Sequence, residues 1–117
     1  MPTISCVPLV RKIASNLLLD RCGLHRDPLV ELDAEGLLTS VRFVSHPDRE
    51  PLTEFFAGLL VVGLEGLDPA QLQADHTTPL PELLAPYLHP ESRRVVLLTG
   101  LDYDRLTATD RSRIHLL

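Results

Sequence analysis

Two apolar runs on either side of Asp33-Ala34-Glu35-Gly36 constrain this chain more than any other stretch; residues 29–44 read LVELDAEGLLTSVRFV. In the first run Val30 and Leu32 alternate with Glu31 and Asp33. In the second, Leu37, Thr39, Val41 and Phe43 share one face, and Leu38, Ser40, Arg42 and Val44 share the other. Period-2 alternation with β-branched and aromatic residues predicts strands. The four intervening residues suit a type I turn, with Gly36 supplying the positive φ that closes it. The prediction is an antiparallel hairpin.

Around this hairpin the remaining elements follow in order. Residues 1–9 carry Pro2 and Pro8 and read as an irregular lead-in. The run VRKIASNLLL over 10–19 puts Ile13, Ser15, Leu17 and Leu19 on one strand face, with a helix as the weaker alternative. Turn formers crowd residues 20–28, and Pro47 and Pro51 forbid a regular ladder over 46–51. Residues 53–64, TEFFAGLLVVGL, form the most apolar stretch, and Gly58 and Gly63 argue against one long helix there. They predict one or two strands with a bend at Gly58. A strand facing water on one side cannot bury Phe55, Phe56, Leu59, Leu60 and Val61 together. Another sheet, a helix or a second chain has to cover both faces.

Asp68-Pro69 then predicts a short helix ending near Asp75, with Asp68 as N-cap. A second is predicted from Thr78 as cap, shortened or kinked by Pro86. RRVVLLT over 93–99 reads as a buried strand stopped by Gly100. A connecting turn follows, with a helical touch at 102–106, and RSRIHLL over 111–117 closes the chain as a last strand. Strands over about 10–63 and 93–117 bracket a helical insert over about 67–90. The fold class is therefore mostly β (α+β): one antiparallel, composite β-sandwich-like domain built from N- and C-terminal strands with two short helices between.

At 117 residues the chain makes one domain, too short for a (β/α)₈ barrel of about 200 residues or more. Eleven basic against sixteen acidic residues leave a net charge of −5, which speaks against nucleic acid or an anionic membrane as partner. The longest apolar run, 55–64, is well short of the ~20 residues that span a bilayer. Arg11 and Lys12 follow a short mixed stretch, the wrong order for a secretory signal. Cys6 and Cys22 have neither CxxC nor zinc spacing and read as reduced thiols, with a disulfide as the alternative. The expected location is the cytoplasm.

The histidines His25, His46, His76, His89 and His115 show no HxH, HExxH or i, i+4 pairing. His76 beside Asp75 is the best single candidate for a metal ligand. No GxSxG turn and no Gly-rich phosphate loop is present. Lys12, the lone lysine, reads as a solvated edge charge rather than a Schiff-base former. Asp102/Asp104 and Asp33/Glu35 read as turn and hairpin-tip carboxylates, and Arg93-Arg94 and Arg111/Arg113 as charges guarding sheet edges. No catalytic, cofactor-binding or metal-ligating residue is assigned, and no cofactor is predicted.

The hairpin LVELDAEGLLTSVRFV resembles the N-terminal hairpin of the amidohydrolase superfamily, in its cytosine-deaminase and chlorohydrolase branch. EFFAGLLV over 54–61 resembles that family's next strand. Residues 95–102, with Leu106 and 112–117, resemble its closing strands. The likeness implies a small composite sandwich that in the family sits beside a metal-bearing barrel. Val62-Gly63-Leu64-Glu65 stands where the family runs into its His-x-His ligands, and no such pair follows. Without the barrel, no family ligand carries over to any position here. The resemblance implies a non-catalytic structural or interaction domain, or a degenerate remnant of one. It also implies a homo-oligomer formed through segment 55–64, which carries Phe55, Phe56 and Leu64. A small metal-dependent hydrolase, a subunit completing a partner's active site, and a small-molecule or peptide binder are the alternatives.

Overall fold

A computed structural model describes residues 11–46 and 49–117. The expectations for the lead-in 1–9, for Cys6 and for Pro47 lie outside these residues. Among the described residues seven strands form one sheet: β1 (Arg11–Asp20), β2 (Gly23–Arg26), β3 (Pro28–Leu32), β4 (Leu38–Phe43), β5 (Glu54–Val62), β6 (Val95–Thr99) and β7 (Arg113–Leu116). Two short helices, α1 (Pro69–Ala74) and α2 (Leu80–Leu84), stand between β5 and β6. The fold is mostly β with two short helices, as the residue pattern predicts. No helix among the described residues is long and apolar enough to cross a membrane.

The sheet runs β4-β3-β1-β5-β6-β7, with β2 also on β1. Strands from both ends of the described chain therefore share it. Every pairing is antiparallel except β1 with β5, which is parallel. That departure from the antiparallel expectation has a simple cause. The hairpin β3–β4 and the proline-rich loop after it carry the chain back to the end where β1 began, so β5 starts in the same direction.

The central hairpin forms where the sequence places it. Gly36 has φ +82°, its N–H donates to the Asp33 carbonyl at 3.0 Å and Asp33 N–H donates to Leu37 at 2.9 Å. The predicted faces of β4 need correcting. The β3–β4 register shifts between Glu31 and Leu32, so Leu38 sits opposite Leu32 and Val41 opposite Val30. Leu38 and Val41 then pack into the same core cluster, leaving Thr39 as the extra residue. A bulge flips every side chain beyond it. The same physics corrects β1. Ile13 packs in one cluster while Leu17 and Leu19 pack in the other. The alternation breaks at Asn16, where the β1–β5 register shifts and the neighbouring Asp27 takes φ +55°. β1 also lies inside the sheet, so Lys12 is a half-buried charge on an interior strand and not an edge charge.

Both faces of the sheet are covered from within the chain. On one, Leu72 of α1 and Leu80 and Leu84 of α2 pack against Leu19, Leu59, Val61, Val96 and Leu98. On the other the sheet curls onto itself, enclosing Ile13, Leu18, Val30, Leu32, Leu60, Val95 and Leu97. The hairpin tip closes this curl: Leu37 bridges Arg94, and Leu38 N–H donates to the Arg93 carbonyl at 2.8 Å. Leu59, Leu60 and Val61 consequently have no exposed surface, each contributing roughly 1.5–3 kcal/mol.

In the helical segment, Asp68 accepts from Ala70 N–H at 3.0 Å while its own N–H donates to Gln71 at 3.0 Å, a reciprocal capping box. Thr78 does not cap α2; its hydroxyl donates to Asp75 at 2.7 Å. The first turn of α2 is met from outside instead, Leu80 N–H donating to the Leu106 carbonyl at 2.8 Å. Pro86 tightens the chain into a single 3₁₀ turn, Ala85–Tyr87. The predicted helical touch at 102–106 is a turn closed by the bridge between Asp102 and Thr107.

Gly58 marks the predicted bend, in the form of a β-bulge within one strand. A Cβ there would lie 2.6 Å from the Leu98 carbonyl and 2.8 Å from Leu97 Cδ1. The Ser15 hydroxyl, itself buried, donates to the Gly58 carbonyl at 2.6 Å and so satisfies a group the bulge takes out of the ladder. Gly58→Ala is expected to destabilise the fold by about 1–3 kcal/mol through overpacking. An unchanged urea midpoint for this variant would contradict the placement of the bulge.

Candidate functional site

The bulge at Gly58 also sets where β6 stops. The β5–β6 ladder runs from Val62 with Val95 to Leu59 with Leu98, and Gly100, at φ +71°, then turns the chain away. Residues 54–57 keep β1 on one side. On the other side, among the described residues, no strand pairs with them. An open strand edge of this kind offers unpaired backbone groups to another chain.

Apolar surface collects around the open edge. Phe55, on the face opposite Phe56 by strand alternation, is 40% exposed. Phe56, on the concave face, lines a 430 Å³ cleft with Arg11, Leu97, Thr99, His115 and Leu117. Within the cleft the Thr99 hydroxyl and His115 Nε2 lie 2.9 Å apart. At its rim Arg11 grips Glu54 with two bonds of 2.8 and 2.9 Å. That mutual hydrogen bonding lowers the Glu54 carboxyl and raises the Arg11 guanidinium. Both side chains are about half exposed, so solvent screening leaves the pair worth ~1 kcal/mol at most. Leu52, just before β5, is 95% exposed with φ +55°.

The residues singled out from sequence do not converge. His25 contacts Asp20 at 3.1 Å and its ring lies 5.1 Å from that of Phe43. His76 contacts the Gln73 carbonyl, His46 and His89 are exposed, and His115 alone lines the cleft at β6 and β7. Among the described residues no three His, Cys, Asp or Glu side chains are grouped to hold a metal ion. Cys22 is exposed beside a smaller cleft of 190 Å³ that His89 also borders. The acidic pairs serve turns. Asp33 accepts from the N–H groups of Leu37 and Glu35 at 3.0 and 2.9 Å, and Asp102 from Asp104 and Arg105 at 3.1 Å. Sequence reasoning missed Leu52 and the cleft. A leucine inside a proline-rich loop was the one available signal, since the cleft walls come from β1, β5, β6 and β7 and meet only after folding.

Strongly perturbed ionisable groups often mark functional sites, and here the strongest belongs to a turn. The hydroxyl and backbone N–H groups of both Thr77 and Thr78 converge on the Asp75 carboxylate at 2.7–3.1 Å. They hold its pKa far below the ordinary carboxylate range. Backbone donors, Leu37 first, lower Asp33 in the same way.

No family model matches this chain, and no curated protein or solved structure does.

Because the folded pKa of Asp75 is depressed, its contribution is complete above the ordinary aspartate value of about 3.9. The contribution is lost as pH falls through the folded value. Urea midpoints measured downward from about pH 5 are expected to fall with acid, and Asp75→Asn is expected to flatten part of that slope. Superimposable profiles for the two proteins would contradict the four-donor turn.

Proposed function

We propose that this protein is a non-catalytic interaction module that joins a second copy of itself through segment 55–64. The observation that carries this reading is the state of residues 54–57. An apolar strand edge lacks a second neighbour among the described residues, with Phe55 40% exposed beside it. The C-terminal half of the segment, from Leu59 to Leu64, serves the protein's own core, so association is assigned to the N-terminal half. Apolar surface gathered in one place on a small domain usually marks an interface.

The amidohydrolase resemblance enters this proposal as architecture only. Its support is that β1 and β6 flank β5 in one sheet, with the short helical segment inserted between β5 and β6. In that reading the segment stands where a barrel would be inserted. The cytoplasmic assignment belongs to the proposal as well, the exposed thiol of Cys22 being suited to a reducing compartment. A second reading, a binder of small molecules or peptides, draws on the 430 Å³ cleft, which falls within the usual range for ligand sites. A thermal-shift screen that finds a stabilising compound would promote it.

Sedimentation velocity at tens of micromolar is expected to show a dimer. Phe55→Ser is expected to shift it at least tenfold toward monomer while leaving the circular-dichroism melt unchanged. A wild-type protein that sediments as a single monomeric species at that concentration overturns the reading.

A further inference from the structure

The open edge is short, and its surroundings restrict how a second copy can use it. In a strand pair related by a two-fold normal to the sheet, faces are preserved and one residue lies opposite its own counterpart. Beyond residue 57 the edge is taken by β6, because Leu59 already pairs with Leu98 and Thr99 follows. A register placing Phe55 across from the partner's Phe55 uses 54–57 fully. It also brings Thr53 opposite the partner's Ala57. The next residue toward the N-terminus would then run into the end of the partner's β6. At that point the chain turns out of the strand direction, at Pro51 and Leu52.

We infer that two copies join β5 to β5 in this antiparallel register, Phe55 against the partner's Phe55, with Leu52 of each seated on the cleft at the end of the partner's β6. The inference rests on the interaction-module reading and adds its geometry. Leu52 is a leucine 95% exposed in a left-handed backbone conformation, which buries nothing in its own chain. The cleft it would meet is walled by Phe56, Leu97 and Thr99. Charge supports the same arrangement. Glu54 shares the concave face with Phe56, by strand alternation from its pairing with Ile13. Arg113 and His115 of β7 share that face by their pairing with Thr99 and Leu97. The register carries Glu54, held in its own chain by Arg11, toward the partner's β6–β7 end, where Arg113 forms no ion pair with a carboxylate among the described residues and would be a second cation for it. The two-fold repeats each contact. Phe55 counterparts stack on the opposite face, an aromatic pair directly across the ladder.

Two measurements test this, both in a Cys6→Ser/Cys22→Ser background. Thr53→Cys/Ala57→Cys, which leaves Phe55 in place, is expected to form an intermolecular disulfide under mild oxidation, because directly opposed antiparallel residues place Cβ atoms about 4.5–5.5 Å apart. Leu24→Cys, exposed on β2, is the control that stays uncrosslinked. Leu52→Asp is expected to raise the dimer dissociation constant at least tenfold with an unchanged melt, since Leu52 takes no part in the core. If the background protein is dimeric but Thr53→Cys/Ala57→Cys does not crosslink, or Leu52→Asp dimerises normally, this geometry is overturned while the interaction-module reading stands. A monomeric background protein overturns both.

Discussion

A single strand that is apolar on both faces organises this protein. In β5, Leu59 and Val61 point one way and Leu60 and Val62 the other. Water on either side would cost several kcal/mol of lost burial. Most small antiparallel sheets escape this by leaving one face polar; this chain covers both. The helical segment covers the first face with Leu72, Leu80 and Leu84. The second is covered by the sheet itself, which curls until the tip of the β3–β4 hairpin meets the start of β6. The short helices, the placement of β1 beside β5 and the docking of the hairpin tip all answer that one requirement.

The curl is made possible by irregularities rather than by ideal strands. Two register shifts, one where Asn16 of β1 faces Gly58 of β5 and one at Thr39, each add a local twist and re-aim the side chains beyond them. Gly58 has a further consequence. With the Leu98 carbonyl 2.6 Å from the place a Cβ would occupy, the bulge brings β5 close against the end of β6. Beyond it the two strands part. The core half of β5 and its other half are thus separated by one glycine, and beyond it the edge of 54–57 has no second strand among the described residues.

Electrostatics plays a local part. The carboxylates of Asp33, Asp75 and Asp102 each gather backbone donors and hold turns. The Arg11–Glu54 pair is solvent-screened and ties the start of β1 to the start of β5. None of these groups faces another across a cleft in the way acid–base chemistry needs. What the described surface concentrates instead is apolar area on a strand edge that no other described strand pairs, which is why association, rather than a reaction, is the function proposed.

Much of the fold was legible in the residues taken in order. The hairpin turn at Gly36, the Asp68 capping box, the break at Pro86 and the strands β1, β3, β4, β5, β6 and β7 all follow from local rules. Backbone conformation, capping and short-range alternation depend on neighbours a few positions away. Three things depended on distant neighbours. The faces of β1 and β4 turned on bulges created by pairing partners. The first turn of α2 found its acceptor in Leu106 rather than in Thr78. β2 and the parallel pairing of β1 with β5 needed the whole sheet. The sequence by itself determined a two-sided apolar strand inside a mostly β domain, because burial preference is written residue by residue. Tertiary structure alone decided which half of that strand is sealed and which left open, because that depends on where β6 ends, and β6 enters the sheet more than thirty residues later.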